Sequence, residues 1–122
     1  MDRLKYRVWN KERKCFFNDD EVVIYPNGEE SFFNADYDFT ECVVEQCTGL
    51  KDKNGKLIYE GDLIKEPSNK YPLEIYYDKG AWLTREYRKN GNNEQLLYAL
   101  INCYGVEIIG NIHKNADMLG EE

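Results

Sequence analysis

The sequence has little from which to build a metal centre, a disulfide framework or a membrane span. It holds four cysteines and one histidine among 122 residues. Cys42 and Cys47 are too far apart for the C-x-x-C pairs of structural zinc sites, and His113 is remote from both along the chain. No apolar run approaches the roughly 18 residues that a membrane-spanning helix needs. We therefore expect free thiols, no metal, no cofactor and no membrane association.

Motifs that bind phosphate or calcium are missing as well. Neither the dinucleotide-binding glycine pattern nor the P-loop pattern occurs, so the glycines do not predict a nucleotide site. The acidic residues 18–21 lack the alternating spacing of an EF-hand loop. Residues 1–5 lack the apolar region of a secretory signal, so we expect a location in the cytoplasm.

The chain is also short of basic residues. Lysine and arginine total 16 while aspartate and glutamate total 23, which gives a net charge of −7 at pH 7. Proteins that bind nucleic acid usually present a basic face, because contacts to phosphates supply much of their affinity. The charge balance argues against nucleic acid as a partner. A local basic stripe stays open as an alternative, formed by Lys65, Lys70, Arg85 and Arg88.

What the sequence does contain is short β-strand patterns separated by turns. Leu4, Tyr6 and Val8 alternate with basic residues, as in a half-buried strand. The central stretch 46–65 holds an Asn-Gly pair between apolar residues, which predicts a hairpin with a tight turn or a longer charged loop. Residues 73–77 and 81–84 flank Asp78-Lys79-Gly80 and predict a second hairpin. Hydrophobic residues make up 42% of the chain, which is enough for a folded domain.

Three segments together resemble the YopX family of phage and prophage proteins. They are residues 48–64 in the middle, 6–12 near the start and 106–119 near the end. The central segment is long and specific, and the three segments anchor both ends of the chain. The resemblance implies a small, phage-associated protein in a bacterial host, without an assigned biochemical activity.

These patterns predict a mainly β fold with minor α content and a single YopX-like domain over residues 1–122. We expect two small lobes, an N-terminal β lobe at about 1–45 and a C-terminal lobe at about 46–122 that contains the central motif. The strand and turn order after Gly61 is analogous to an SH3-like barrel. Residues 94–101 fit either a helix with Asn93 as its N-cap or a buried strand. A helical turn is predicted after Asn115.

One pair of aromatic residues is a candidate surface for a partner. Alternation along 73–77 leaves Tyr76 beside Glu74 and Asp78 on the solvent side of its strand. Trp82 is expected to join Tyr76 across the hairpin. An aromatic side chain on a wet face is a hint of a binding surface, although both residues packing under the 65–70 loop is the alternative.

The sequence leaves three hypotheses for the function. The first is a non-enzymatic accessory protein that binds an unidentified phage or host protein, with self-association of edge strands also open. The second is a small-barrel protein associated with nucleic acid. The third is a metal-dependent enzyme that uses acidic residues, namely Asp36, Asp38 and one of Glu60 or Asp62. No catalytic set is visible in the sequence, so we predict that the protein is not an enzyme.

Overall fold

The computed structural model describes residues 6–17, 22–24, 30–32, 42–88 and 93–115, with only the backbone described at 22–24 and 30–32. Strands dominate this part of the chain, which confirms the mainly β prediction. In chain order the elements are β1 (Tyr6–Asn10), β2 (Cys15–Phe16), β3 (Val22–Ile24), β4 (Glu30–Phe32), β5 (Cys42–Lys51), β6 (Leu57–Tyr59), β7 (Asp62–Lys65), β8 (Leu73–Asp78), β9 (Ala81–Glu86), β10 (Glu94–Leu96), α1 (Leu97–Cys103) and β11 (Glu107–Asn111).

The first sheet has four antiparallel strands in the order β2-β1-β5-β6. β1 pairs with β5 along its whole length, from Tyr6 opposite Gln46 to Asn10 opposite Cys42. The strand predicted from alternation at the start of the chain is therefore confirmed. Val8 and Trp9 are adjacent and both buried, so the end of β1 is covered on both faces.

The second sheet has five strands in the order β10-β9-β8-β7-β11, and β3 and β4 form a separate pair. The inner face of the five-stranded sheet packs against α1 and holds the main core. The buried members of that core are Ile58, Ile64, Leu73, Ile75, Leu97, Leu100 and Val106. The described residues contain no helix long and apolar enough to cross a membrane.

Two hairpins follow from glycines at positions where the backbone needs positive φ. In the β8–β9 hairpin Lys79 and Gly80 have φ of 52° and 82°, which is the type I′ geometry that a two-residue turn favours. In the loop 52–56 of the β5–β6 hairpin, Gly55 is the residue with positive φ, and Gly55 N–H donates to Asp52 C=O at 3.0 Å. The Asn-Gly pair therefore ends a longer loop, which was the second of the two predicted forms.

The two sheets share the central stretch of the chain. The predicted lobe boundary near residue 45 lies within β5, which pairs with both β1 and β6. The tip of the β5–β6 hairpin is tied to the other sheet, because Lys53 N–H donates to Val106 C=O at 2.9 Å. The SH3-like barrel stays a prediction, since β10 and β11 end the second sheet and do not pair with each other among the described strands.

The ambiguous segment 94–101 is partly strand and partly helix. Glu94–Leu96 forms β10, which pairs with β9, and α1 begins immediately afterwards. The residue at the N-cap is Leu96 rather than the predicted Asn93, and it supplies no side-chain hydrogen bond. Pairing with β9 extends the strand to Leu96 and delays the helix, a tertiary effect that helical spacing alone does not show. The predicted turn after Asn115 lies outside the described residues.

Candidate functional site

A cluster of charged side chains lies at the junction of the two sheets. Arg7 is at its centre, with Nε 2.9 Å from Glu45 Oε1 and Nη1 2.8 Å from Asp62 Oδ1. Its third nitrogen, Nη2, donates to the backbone carbonyl of Glu60 at 3.2 Å. His113 completes the cluster by donating from Nε2 to Glu45 Oε2 at 2.9 Å. We call these four residues, Arg7, Glu45, Asp62 and His113, the buried charge cluster.

Each member arrives from a different element. Arg7 on β1 is directly opposite Glu45 on β5, so the antiparallel register alone places this pair side by side. Asp62 begins β7, and its Oδ2 accepts the N–H of Tyr59 at 2.8 Å. His113 lies in the turn after β11, where its N–H donates to the Asn111 side chain at 2.9 Å. The cluster therefore links both sheets and the C-terminal turn.

Aromatic rings shield the cluster from water. The Arg7 guanidinium lies 4.5 Å from the ring centroid of Phe16 and 4.9 Å from that of Tyr59. Trp9 stacks on His113 with centroids 4.7 Å apart and planes 11° apart. The Glu45 and Asp62 side chains are only 3% and 4% exposed. Such cation–π contacts gain strength where water is excluded.

Gly61 allows the close approach of the two sheets at this point. Its φ is +86°, and a Cβ there would overlap the Glu45 carboxylate. Its N–H donates to Ile75 C=O and its C=O accepts the N–H of Ile112, both at 2.9 Å. The central glycine that the sequence marks as a bend is therefore also a packing requirement.

Burial sets the protonation behaviour of the acids around the cluster. Burial raises the pKa of Asp62 above its ordinary value, and the nearby Arg7 guanidinium offsets only part of that effect. Burial also raises the pKa of Glu60, although the backbone N–H of Gln46 opposes the change and the charge of Glu45 reinforces it. At both carboxyl groups, burial therefore disfavours the ionised form.

Asp52 plays a different, local role at the hairpin tip. Its Oδ1 accepts the N–H groups of Asn54 and Lys56, both at 2.9 Å, and its Oδ2 accepts the N–H of Ile108 at 3.1 Å. Burial alone would raise the pKa of Asp52, but these backbone donors outweigh it and lower the pKa below the ordinary value. This carboxylate organises the loop and joins it to β11.

A groove of about 280 Å³ lies next to the cluster, lined by residues of β5 in the first sheet and of β8 and β9 in the second. Its charged lining consists of three glutamates and one arginine, namely Glu45, Glu60, Glu74 and Arg85. The rest of the lining is apolar or aromatic, with Tyr76 on one wall and Val43 and Val44 on the other. The groove is thus lined by both acidic and hydrophobic side chains.

The predicted surface residues Tyr76 and Trp82 do not share a face. Tyr76 is opposite Leu83 and Tyr77 is opposite Trp82, so Tyr76 and Trp82 point to opposite sides of the sheet. Trp82 packs against the main core and contacts the Tyr77 ring, with centroids 5.0 Å apart. Tyr76 lies on the other side as alternation predicts, and it lines the groove.

The next residues to place are the basic ones of the nucleic-acid hypothesis and the acidic ones of the metal-dependent enzyme hypothesis. Among the candidate basic residues, Arg85 pairs with Glu74 at 3.3 Å and Arg88 with Glu86 at 3.5 Å, so these two do not form an open basic stripe. Asp36 and Asp38 lie outside the described residues. Glu60 lines the groove, whereas Asp62 is inside the buried charge cluster.

Histidine and cysteine also take positions that differ from a metal centre. Within the described ranges, no group of three or more His, Cys, Asp or Glu side chains is arranged to hold a metal ion. Cys15 and Cys103 are free thiols, and Cys103 is exposed whereas Cys47 is buried. His113 has its acidic partner in Glu45, 68 residues away along the chain, which no local pattern indicates.

Comparisons with known proteins agree with this architecture. A crystal structure of protein EF1440 from Enterococcus faecalis is similar, with a TM-score of 0.61 and 26% sequence identity over 93% of this chain and 96% of that one. No curated protein matches the chain. A family model described as YopX protein matches residues 5–120, which is nearly the whole chain. The chain therefore belongs to the YopX family, as the resemblance of its three segments predicts.

Proposed function

We propose that this protein is a non-enzymatic accessory protein, encoded by a phage or prophage, that binds another protein in the bacterial cytoplasm. The binding surface is the side of the second sheet that faces away from the core. We call it the outer face and define it by Glu74, Tyr76, Leu83, Arg85, Glu94 and Leu96. An SH3-like arrangement of the C-terminal lobe belongs to the same proposal.

One observation carries this proposal. Tyr76, Leu83 and Leu96 are register partners on three adjacent strands, so they form a continuous row across the outer face. Leu96 is 46% exposed at the end of that row. Tyr76 and Leu83 are half-buried, so the row reaches solvent most fully at Leu96. A contiguous row of apolar side chains that reaches solvent and has polar residues around it is typical of a protein interaction surface.

Charged residues hold this face in a fixed arrangement. The Arg85 guanidinium lies 4.4 Å from the Tyr76 ring centroid and pairs with Glu74. The Tyr76 hydroxyl donates to the Glu94 carboxylate on β10. Side chains that are ordered before binding lose less conformational entropy when a partner arrives.

The position of β10 adds a second feature. Among the described strands, β10 is the last on its side of the sheet, and all three of its residues are exposed. Edge strands of this kind can accept a further strand from another chain, in which backbone hydrogen bonds supply affinity and side chains supply selectivity. A partner that adds beside β10 would extend onto the Tyr76–Leu96 row.

Affinity capture from a lysate of phage-infected or prophage-induced host cells tests the proposal. Wild type, Tyr76→Ala and Leu96→Ser are compared with Tyr104→Ser, whose side chain is 60% exposed but lies outside the outer face. Serine is a favourable N-cap residue, so Leu96→Ser should leave α1 intact.

We expect a protein that wild type and Tyr104→Ser retain and that both outer-face variants lose. Equal capture by all four proteins would contradict the proposed surface. Release of captured nucleic acid by moderate salt would instead favour the nucleic-acid alternative, because phosphate contacts weaken steeply with salt.

A further inference from the structure

We propose that the partner of the outer face presents an extended segment in which a lysine or arginine stands next to aliphatic residues. The cationic side chain enters the acidic groove beside Tyr76, and the aliphatic residues cover the Tyr76–Leu83–Leu96 row. This inference rests on the proposed function, and it adds the chemistry of the partner.

The groove and the outer face are one continuous surface. Glu74, Tyr76 and Arg85 belong to the outer face and also line the groove. A segment that lies along the row of apolar side chains therefore reaches the mouth of the groove without leaving the sheet. The groove volume of about 280 Å³ is large enough for the end of a lysine or arginine side chain.

The charges that line the groove do not balance. Among the described lining residues, Glu45, Glu60 and Glu74 contribute carboxylates and Arg85 contributes the one positive charge. Arg85 is already paired with Glu74, and Glu45 is held by Arg7 and His113 from behind. Within the part of the chain that the structure describes, the Glu60 carboxylate receives one long hydrogen bond, from Gln46 N–H at 3.5 Å. Glu60 is therefore the groove carboxylate with the most capacity for an incoming cation.

The environment of Glu60 also favours a cationic partner. Burial raises the pKa of Glu60 and the charge of Glu45 raises it further, while the Gln46 N–H and Arg7 offset these effects only in part, so the ionised form of Glu60 is disfavoured. A bound ammonium or guanidinium group would add positive charge to the partial compensation that Arg7 supplies. Retaining a carboxylate that is unfavourable in the free protein is common at binding sites.

Charge also decides between classes of occupant. A second copy of this chain carries the same net charge of −7, so face-to-face association would bring two acidic grooves together. Nucleic acid would place phosphates against the same carboxylates. A basic polypeptide segment is the occupant whose charge complements the groove, while its aliphatic residues match the adjoining row.

The test is a selection of random short peptides displayed on phage against the immobilised full chain. Peptides that are enriched over a bare-surface control are synthesised with a fluorescent label. Their dissociation constants are then measured by anisotropy against wild type, Glu60→Gln, Leu96→Ser and Glu107→Gln. The last variant is a matched control, because Glu107 is an exposed glutamate on β11 at the opposite edge of the sheet.

Glu60→Gln keeps the shape of the side chain and an oxygen that can accept the Gln46 N–H, so the fold should survive. We expect the enriched peptides to contain lysine or arginine beside aliphatic residues. Their affinity should fall roughly three- to tenfold on Glu60→Gln and on Leu96→Ser, the size expected for one partly exposed contact. Glu107→Gln should leave their affinity unchanged.

The outcomes separate this inference from the proposed function. Peptides that lack basic residues, or that bind Glu60→Gln as well as wild type while Leu96→Ser weakens them, overturn the basic-segment inference and leave the binding surface in place. Peptides that neither variant weakens, or a selection without enrichment, overturn both proposals. Thermal unfolding of each variant shows whether a loss of affinity reflects a loss of fold.

Discussion

Replacement of Arg7 by methionine is expected to be among the most destabilising single changes in this protein. The side chain is 18% exposed, and its three nitrogens contact Glu45, Asp62 and the Glu60 carbonyl. Methionine fills a similar volume but leaves two carboxylates, 3% and 4% exposed, without their cation. Removing one partner of a buried ion pair typically costs about 3–5 kcal/mol, and the partial exposure of Arg7 favours the lower end, about 3 kcal/mol.

The measurement is urea unfolding followed by tryptophan fluorescence, since Trp9 stacks on His113 within the cluster. Arg85→Met is the matched control, because its ion pair with Glu74 joins side chains that are 48% and 17% exposed. An ion pair on the surface contributes less than about 1 kcal/mol. A loss of stability in Arg7→Met no larger than in Arg85→Met would refute the argument.

The same variant has an expected pH signature. Burial raises the pKa of Asp62 above 3.8, so above that pH the folded chain holds more protons than the unfolded chain. The contribution of Asp62 to stability is therefore greatest below 3.8 and is lost as pH rises through the folded-state pKa. Arg7 opposes this shift, so its removal should extend the window upward.

The stability deficit of Arg7→Met should consequently be smaller at about pH 4 than at about pH 7. Unfolding curves at both pH values, each referred to wild type under the same conditions, provide the comparison. A deficit that does not change with pH would mean that the cost arises from lost packing rather than from uncompensated carboxylates.

Three further changes test the junction and the groove. Gly61→Ala should lower the free energy of unfolding clearly more than Gly55→Ala. Positive φ costs about 1–2 kcal/mol at either position, but of the two glycines only Gly61 lacks space for a Cβ. Equal losses of stability in urea unfolding would contradict this prediction. Asp52→Asn should lower the free energy of unfolding by about 1–3 kcal/mol, since the carboxylate oxygen that accepts the Ile108 N–H is lost. The Ile108 amide should then exchange its hydrogen faster, and an unchanged exchange rate would contradict this prediction. Glu60→Gln should raise the free energy of unfolding at neutral pH, because burial disfavours the charge that the variant removes. The gain should be less than about 1 kcal/mol, since water screens a partly exposed charge, and a lower melting temperature would contradict this prediction.

Local patterns predict the strands and turns of this fold well. Alternation predicts β1 and β8, and the glycines at 55 and 80 mark hairpins that the structure contains. These features depend on residues close together in sequence, where backbone geometry restricts the choices. The N-terminal end of α1 is where local patterns fail, because the pairing of β10 with β9 keeps residues 94–96 in a strand although their apolar spacing also fits a helix.

The buried charge cluster cannot be predicted from local sequence patterns, for a different reason. Arg7, Glu45, Asp62 and His113 are far apart in sequence and each has an ordinary neighbourhood. One signal was available, since pairing β1 with β5 in the observed register places Arg7 opposite Glu45. The separation of Tyr76 from Trp82 follows likewise from register, because a shift of one residue moves a side chain to the other face.

The cluster and the groove share Glu45, and this connects stability with binding. Arg7 and His113 fix the Glu45 carboxylate from the side of the cluster, while its charge disfavours an ionised Glu60 in the groove. A cation bound at Glu60 would relieve that repulsion, so a basic partner should stabilise the fold by the usual coupling of ligand binding to folding. The gain on binding should be larger in wild type than in Glu60→Gln, where there is no second charge to neutralise. The carboxylate that makes the free protein less stable is, by this reasoning, the one that selects its partner.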